Sequence, residues 1–199
     1  DENNYENIIN ELKNYAITDY NQEIIIKSFK YLAAICFKFP KSADFFSKSL
    51  QDILNHGENF ISNQAIIVCN DYLRKHKNSK SLELLKFFNL TFAKKINIPE
   101  SKAALLFIIG EYNLKIKDSL EILNFFSGNF PNENERVKTQ ILNAVLKTYI
   151  SNSGNSQAEE ITKYILEKSA EESENPDLRD RAYIYWRLFE NHQDSAKEI

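Results

Sequence analysis

Hydrophobic positions recur every three or four residues along most of the chain, and polar stretches, prolines and glycines interrupt the pattern. This spacing is typical of helices that bury one face. The clearest example is the set Leu178, Ala182, Tyr185 and Phe189, which follow one another at i, i+4, i+7 and i+11. The pattern predicts helices over residues 4–15, 20–38, 43–55, 60–76, 80–94, 99–115, 118–128, 133–152, 156–173 and 176–190.

The residues that separate these stretches are suited to begin and end helices. Asn175 can accept a hydrogen bond from an unpaired backbone N–H of the first turn, and Pro176 fits the first helical position because no donor is needed there. Pro99 opens another helix in the same way. Pro40 ends a helix because it lacks a donor and clashes with the preceding turn, and Gly57 is suited to a left-handed C-cap.

The predicted helices alternate as first and second members of pairs. First helices begin at intervals of roughly 35–43 residues, a period typical of HEAT and armadillo arrays. The sequence therefore predicts an all-α fold, a right-handed α-solenoid of about ten helices arranged in such pairs. The most polar loop, residues 151–156, is too short for a domain linker. We therefore expect residues 1–199 to form a single solenoid segment.

The predicted helix over 99–115 differs from the others because it has no polar face over two turns. Residues 103–109 are all apolar, and a helix that is apolar on every side is buried on several sides. We therefore expect an inner helix that is covered by both neighbouring repeats. Gly110 follows this run at a cost of about 1 kcal/mol relative to alanine, which indicates a close backbone approach to the next repeat.

Composition and charge exclude several classes of function. The chain has 199 residues, of which 43% are hydrophobic, and a net charge of −3, whereas nucleic-acid-binding proteins usually carry a basic footprint. No apolar run reaches the roughly 18–20 residues that cross a bilayer. Cys36 and Cys69 lie in apolar helical stretches, so we expect reduced core residues in a cytosolic protein. The chain begins at Asp1 and contains no methionine, which indicates an excised fragment.

Candidate catalytic chemistry does not emerge from the sequence. It contains no glycine-rich phosphate loop, no G-x-S-x-G motif and no cluster of His and Cys at metal-ligand spacing. His56, His76 and His192 stand at or near predicted helix ends, where a histidine can favour the negative end of the helix dipole. We therefore predict no enzyme activity, no catalytic residue, no metal, no cofactor and no small-molecule substrate.

Basic residues concentrate in one predicted turn of the chain. They are Arg74, Lys75, Lys77, Lys80 and Lys86. A basic turn on a solenoid can touch anionic lipid headgroups, and the alternative is a solvated edge without a ligand. Charge reversal at Lys75 and Lys77 in a liposome sedimentation assay separates the two interpretations.

Polar and aromatic residues of the last predicted helix lie off its apolar stripe. They include Arg179, Tyr183, Trp186 and Arg187. A lone tryptophan flanked by arginines and a tyrosine has the composition of an interface anchor, which indicates docking of a partner subunit. In the alternative interpretation, Asp180 and Arg181 pair with neighbouring helices and Trp186 packs into the next repeat.

Three blocks of sequence resemble one protein family. Residues 175–188, NPDLRDRAYIYWRL, resemble the end of the large-subunit trunk of the β-adaptins, the β chains of clathrin-associated adaptor complexes. Residues 100–112, ESKAALLFIIGEY, resemble a second run of that family, and residues 12–16 with 27–32 form a weaker third block. The chain departs from the first block at Ala182, where the family often has glycine.

The resemblance implies a non-catalytic scaffold in vesicle-mediated protein transport. In that family the trunk is an α-solenoid that holds the medium subunit's N-terminal domain and the partner large subunit, and the complex links cargo and membrane to the clathrin coat. The chain resembles the C-terminal half of the trunk. The implied location is cytoplasmic, peripheral on coated vesicles, the trans-Golgi or the plasma membrane. The implied partner-binding residues are Asp177, Arg179, Arg181, Tyr183 and Trp186.

Other interpretations stay open at this point. The adaptor class is plasma-membrane, trans-Golgi or a non-clathrin type. A generic HEAT-type binding platform, such as a coatomer-like piece or a transport receptor, keeps the fold and the partner-binding role but has no affinity for an adaptor medium chain. A third possibility is an enzyme or its helical domain, for which the sequence offers no supporting motif.

Overall fold

A computed structural model describes residues 4–56, 58–76, 79–171 and 173–191. Across these ranges the chain is helical and has no β-strand, which confirms the all-α class. The α-helices are α1 (Tyr5–Thr18), α2 (Gln22–Lys38), α3 (Ala43–His56), α4 (Asn59–Lys75), α5 (Ser79–Leu82), α6 (Leu90–Ala93), α7 (Pro99–Tyr112), α8 (Ser119–Ser127), α9 (Glu135–Ser151), α10 (Ser156–Glu171) and α11 (Pro176–Asn191). Short 3₁₀ turns lie at Pro40–Ser42, Glu83–Phe87, Asn113–Lys115 and Phe130–Asn132.

The helices form two compact units, Asp1–Ser101 and Lys102–Ile199. In the first unit, α1 and α2 pack together as a pair, and they contact α3 and α4 respectively. In the second unit, α9 packs on α8, α10 and α11, and α10 also contacts α8. Helix pairs that stack on the next pair are the arrangement of an α-solenoid, so the fold class is confirmed within each unit. The handedness of the array and the single segment over residues 1–199 stay predictions.

Asparagine caps begin several of the helices. The Asn175 side-chain oxygen accepts from the Asp177 N–H at 2.9 Å, as predicted, and Pro176 is the first helical residue. The side chains of Asn21, Asn134 and Asn155 cap α2, α9 and α10 in the same way. Each cap satisfies a backbone donor that has no partner within its helix. Pro40 also lies immediately beyond α2 as expected, whereas Gly57 is outside the described residues.

The prediction of one helix over residues 80–94 is wrong. The segment contains α5, the 3₁₀ turn Glu83–Phe87 and α6. Asn89 interrupts it with an extended backbone, φ −114° and ψ 175°, and its side chain accepts from the Phe92 N–H at 2.9 Å. Asparagine competes with helical hydrogen bonds in this way. The buried positions Leu84, Leu85 and Phe88 keep a helix-like spacing, and that spacing misled the sequence-based interpretation.

A buried asparagine holds the segment that leads into α7. Asn63 lies on α4, and its side-chain Nδ2 donates to the backbone oxygens of Asn59 at 2.7 Å and Lys95 at 3.1 Å. Its Oδ1 accepts from the N–H groups of Asn97 and Ile98, both at 3.1 Å. A buried amide with all its hydrogen bonds made rigidifies its surroundings. Asn63 therefore positions the residues immediately before α7.

Helix α7 is buried on nearly every side, as its apolar run predicted. Leu105, Leu106, Ile108 and Ile109 are all 0% exposed. A Cβ atom added at Gly110 would lie 3.1 Å from the Cα atom of Ala144 on α9. Glycine therefore allows the close backbone approach that the sequence analysis expected.

One ion pair in the second unit is largely shielded from water. Lys102 on α7 places its Nζ 2.6 Å from Glu133 Oε1, and the Glu133 side chain is 6% exposed. Asn129 Nδ2 also donates to Glu133 Oε1, at 2.9 Å. A buried carboxylate requires such partners because desolvation is costly.

The two cysteines are free and buried, as predicted. Burial raises the pKa of the Cys36 thiol to about 12, against a smaller opposing effect of Lys75. Burial also raises the pKa of Cys69. Both side chains therefore act as small apolar core residues rather than as reactive thiolates.

Candidate partner-binding surface

The apolar stripe of α11 faces the protein interior. Leu178 and Ala182 are 0% exposed. Tyr185 donates its hydroxyl hydrogen to Asn143 Oδ1 on α9 at 3.0 Å, and the ring centroid of Phe189 lies 4.7 Å from that of Tyr149. The predicted stripe therefore packs the helix against α9, and its remaining residues form two flanks and an outer face.

The first flank carries an ion pair. Asp177 and Arg181 are both exposed, and Arg181 Nε donates to Asp177 Oδ2 at 3.0 Å within α11. This hydrogen bond, together with the charge of Asp177, raises the pKa of Arg181 above its usual value. Ile184 and Leu188 continue the same register at i+7 and i+11 from Asp177. We call these four residues the ion-pair flank.

The second flank carries aromatic residues. Arg179, Tyr183, Trp186 and Glu190 follow one another at i, i+4, i+7 and i+11. Tyr183 is 55% exposed, and Trp186 is half-buried and donates its Nε1 hydrogen to Glu190 Oε1 at 2.6 Å. We call these four residues the aromatic flank.

The five predicted partner-binding residues do not form one patch. A helix turns by about 100° per residue, so positions two residues apart lie roughly 160° apart around the axis. Asp177 and Arg181 are therefore on one flank, and Arg179, Tyr183 and Trp186 are on the other. A partner that contacts one side of α11 meets only one of these groups.

In the alternative interpretation, Arg181 pairs with a neighbouring helix, and the structure does not show such a pair. Its partner is Asp177 on the same helix rather than a residue of a neighbouring helix. The indole N–H of Trp186 is likewise bonded within α11. The Arg181 and Trp186 side chains are thus both hydrogen-bonded within α11, and the Tyr183 side chain is exposed.

Ile184, a large apolar residue that is 58% exposed, was not among the predicted binding residues. It lies next to Tyr183 in the chain but on the ion-pair flank. Its position off the apolar stripe was the signal that could have revealed it, because an isoleucine outside the stripe of an amphipathic helix faces away from the core.

A metal-ligating grouping is not found in the described parts of the chain. Within them no three His, Cys, Asp or Glu side chains converge to hold a metal ion. His76 follows α4, where its ring lies 4.9 Å from the Tyr72 ring, and burial together with Lys75 lowers its pKa. His192 is outside the described residues. None of the helices described here is long and apolar enough to cross a membrane.

The helix pairs within each unit define the α-solenoid class of protein. Residues 1–193 match the family described as the Adaptin N terminal region. The chain therefore belongs to the adaptin N-terminal region family.

The individual relatives are named as β subunits of AP-1 and AP-2 complexes. The chain is 32% identical over 199 residues to the "AP-1 complex subunit beta" of Dictyostelium discoideum and 32% identical over 197 residues to the "AP-1 complex subunit beta-1" of Rattus norvegicus. It is 31% identical over 182 residues to the "AP-2 complex subunit beta" of Saccharomyces cerevisiae. These matches cover 100%, 98% and 91% of the chain but 20%, 20% and 25% of the relatives. Each name describes the relative as a subunit of a complex.

Proposed function

We propose that the chain is a scaffold segment of the β large subunit of a clathrin-associated adaptor complex, acting in vesicle-mediated intracellular protein transport. The observation that carries this proposal is the identity of 32% to an adaptor β subunit across the whole chain, joined to the family match over residues 1–193. Since the chain spans about a fifth of the length of the AP-1 relatives, the proposal concerns this segment of a larger subunit.

Within such a subunit, the segment is proposed to form the C-terminal half of the trunk. Residues 175–188 support this position because they resemble the end of the β-adaptin trunk. The subunit is proposed to act on the cytoplasmic side of coated vesicles, the trans-Golgi or the plasma membrane, where the assembled complex links cargo and membrane to clathrin.

The aromatic flank of α11 is the proposed contact with the medium subunit. Interface anchors are enriched in tryptophan, tyrosine and arginine, and Arg179, Tyr183 and Trp186 supply all three in one register. The Trp186–Glu190 hydrogen bond holds the indole in one orientation, which lowers the entropy lost when a partner docks. Asp177 and Arg181 on the opposite side are proposed to meet a different subunit, the partner large subunit.

Co-expression with the N-terminal domain of an adaptor medium subunit from the same organism tests this proposal. Size-exclusion chromatography with light scattering measures the stoichiometry, and we expect a stable 1:1 complex. Trp186→Ala or Arg179→Ala should weaken the complex while leaving the helical circular dichroism intact. Arg181→Ala is the matched control, because it removes an arginine from the other flank of the same helix.

Two outcomes oppose the proposal. A folded chain that binds no medium subunit would favour a generic helix-pair binding platform. Equal weakening by Arg179→Ala and Arg181→Ala would mean that neither flank alone provides the contact with the medium subunit.

A further inference from the structure

The exposed serines of the described chain all lie at the junction of α9 and α10. They are Ser151, Ser153 and Ser156. Every other serine whose burial the structure describes is buried, so its hydroxyl group is closed to another protein. Within the described residues, an enzyme that modifies serine hydroxyls therefore finds exposed substrates only in residues 151–156. We call these residues the serine loop.

The middle of the serine loop lies in open space. Gly154 has a φ of +88°, a backbone conformation that residues with a side chain rarely adopt, and a Cβ atom added there would meet no other atom within 4 Å. Asn155 then caps α10, because its Oδ1 accepts from the Gln157 N–H at 3.0 Å. Exposed loop tips are the places where other enzymes act on a folded chain, so the serine loop is accessible to them.

Acidic residues follow Ser156 at a spacing that acidophilic protein kinases recognise. Glu159 and Glu160 lie three and four residues after Ser156, and both are exposed. A kinase with a basic substrate groove selects such carboxylates by charge complementarity. Ser156 itself lies three residues after Ser153. A phosphate group on Ser156 would therefore place an anion at the same spacing from Ser153.

A turn with two lysines lies beside the serine loop. Asn113 follows α7, and its Nδ2 donates to Ser151 Oγ at 3.4 Å, while Asn152 Nδ2 donates to Asn113 Oδ1 at 2.9 Å. The same turn contains Lys115 and Lys117, which are both exposed. We call residues 113–117 the lysine turn. The two hydrogen bonds therefore bring two cations close to the serine loop.

We propose that the serine loop is a site of phosphorylation by an acidophilic serine kinase, which modifies Ser156 first and Ser153 second. In each step the serine Oγ forms a bond to the γ-phosphorus of ATP, and the bond from that phosphorus to the β,γ-bridging oxygen breaks. ADP leaves with the electron pair of the broken bond, and the hydroxyl proton passes to the catalytic carboxylate of the kinase. The proposal does not rest on the adaptor function or on the contact of α11.

The two phosphate groups interact differently with the chain. A phosphoserine carries a charge of about −1.5 to −2 at neutral pH and three acceptor oxygens, so phosphate on Ser153 can pair with Lys115 and Lys117. Phosphate on Ser156 stands at the positive end of the α10 dipole but beside two glutamates, so attraction and repulsion oppose each other. The second phosphate, rather than the first, therefore ties the serine loop to the lysine turn.

In vitro phosphorylation followed by mass spectrometry tests the proposed order. The folded chain is incubated with ATP, Mg²⁺ and casein kinase 2, which is acidophilic, and in parallel with a basophilic serine kinase. Every chain carries Ser195→Ala, because Glu198 follows Ser195 at the same spacing outside the described residues. We expect phosphate on Ser156, followed by Ser153, with the acidophilic enzyme and none with the basophilic one.

Variants of the serine loop separate the two steps. Ser156→Ala should remove phosphate from both positions, and Ser156→Asp should restore modification of Ser153 because it supplies the anion. Glu159→Gln should slow phosphorylation of Ser156 about tenfold, because a hydrogen bond to a charged group contributes roughly that factor. Circular dichroism checks the fold of every variant.

Two serines of the same chain serve as matched controls. Ser151 is exposed in the same loop, but the third residue after it is Gly154. Ser169 has glutamates two and three residues after it, but it is 0% exposed. Neither serine should carry phosphate in the folded chain, because the first lacks the acidic signal and the second is inaccessible.

Thermal unfolding tests the interaction with the lysine turn. Lys115→Gln with Lys117→Gln should make the shift in melting temperature on double phosphorylation about 2–4 °C less favourable, because two exposed ion pairs are lost. Lys27→Gln with Lys30→Gln removes the same charge from exposed positions of α2 and should leave that shift unchanged.

Three results would overturn the proposal. The first is a folded chain whose serine loop casein kinase 2 leaves unmodified. The second is equal modification of Ser153 in the presence and absence of Ser156, which would remove the proposed order. The third is a shift in melting temperature that does not depend on Lys115 and Lys117, which would mean that the phosphate does not pair with the lysine turn.

Discussion

Helices α7 and α11 begin in the same way but differ in how much of their surface is buried. Both have proline as the first residue, at Pro99 and Pro176, and they contain 14 and 16 residues. In helix α7, residues 103–110 are apolar and all buried except the half-buried Phe107, whereas α11 buries one stripe and exposes two flanks. We expect α7 to contribute mainly to stability, and we propose that the exposed flanks of α11 contact partner subunits. Five predictions, in order of decreasing effect, test this contrast.

The largest effect is expected in the buried centre of α7. Leu105→Ala removes a side chain that is 0% exposed, and it should lower the free energy of unfolding by about 4 kcal/mol because it leaves a cavity. Tyr183→Ala on α11 is the control and should change it by less than about 0.5 kcal/mol. Urea denaturation followed by circular dichroism measures both, and similar losses would erase the contrast between the helices.

Breaking the ion pair between Lys102 and Glu133 should have the next largest effect on the free energy of unfolding. Lys102→Met leaves Glu133 buried with Asn129 as its remaining partner. We expect a loss of about 3 kcal/mol, since an uncompensated buried carboxylate is costly. Lys138→Met is the comparison, because its partner Glu135 has a 48% exposed side chain. Equally small losses of unfolding free energy in both variants would mean that burying Glu133 without Lys102 does not lower stability.

Substitution on the aromatic flank of α11 should act on binding instead of stability. Trp186→Ala should weaken the medium-subunit complex by about 2 kcal/mol, or roughly 30-fold, if the indole is an interface anchor. Calorimetry or surface plasmon resonance measures the affinity, and thermal unfolding of the free chain monitors the fold. Loss of the fold without a specific loss of affinity would assign Trp186 to the core.

A substitution at the close contact between α7 and α9 should have a smaller effect on the free energy of unfolding. Gly110→Ala gains about 1 kcal/mol of helix propensity. The added methyl group would lie 3.1 Å from the Ala144 Cα atom, and such overpacking costs about 1–3 kcal/mol. We expect a net destabilisation of about 1 kcal/mol in urea unfolding. A more stable variant would show that the α9 backbone yields easily.

The smallest effect on stability is expected for the ion-pair flank. Arg181→Ala removes an exposed pair with Asp177, which contributes about 0.3–0.5 kcal/mol to a helix at low salt. The loss should vanish in high salt because the charges are screened. A loss that persists at 1 M salt would indicate packing by the arginine stem instead.

Much of the helical pattern was predictable because it depends on neighbours in sequence. The Asn175 cap, the Pro176 start and the core stripe that includes Leu178 all appear as expected. The same reasoning failed at Asn89, whose side chain interrupts the segment that was predicted as one helix. The periodicity of apolar residues survives such a break, so it does not reveal the break.

The candidate binding surface was only partly predictable. The composition of α11 pointed to Arg179, Tyr183 and Trp186, and the family resemblance grouped them with Asp177 and Arg181 from the other flank. Their spacing by two residues already separates these groups around a helix. The hydrogen-bond partners of Trp186 and Arg181 were not predicted, although Glu190 and Asp177 lie four residues away on the same helix, where side chains are neighbours.

The all-α class, most helix boundaries and the buried stripes follow from local sequence patterns, because periodicity and capping act over a few residues. The contacts between distant parts of the chain depend on how the helices pack. Asn63 meets Asn97, and Lys75 meets Phe37, across more than 30 residues in each case. Such contacts form only when helices pack, because packing supplies partners that no local pattern specifies.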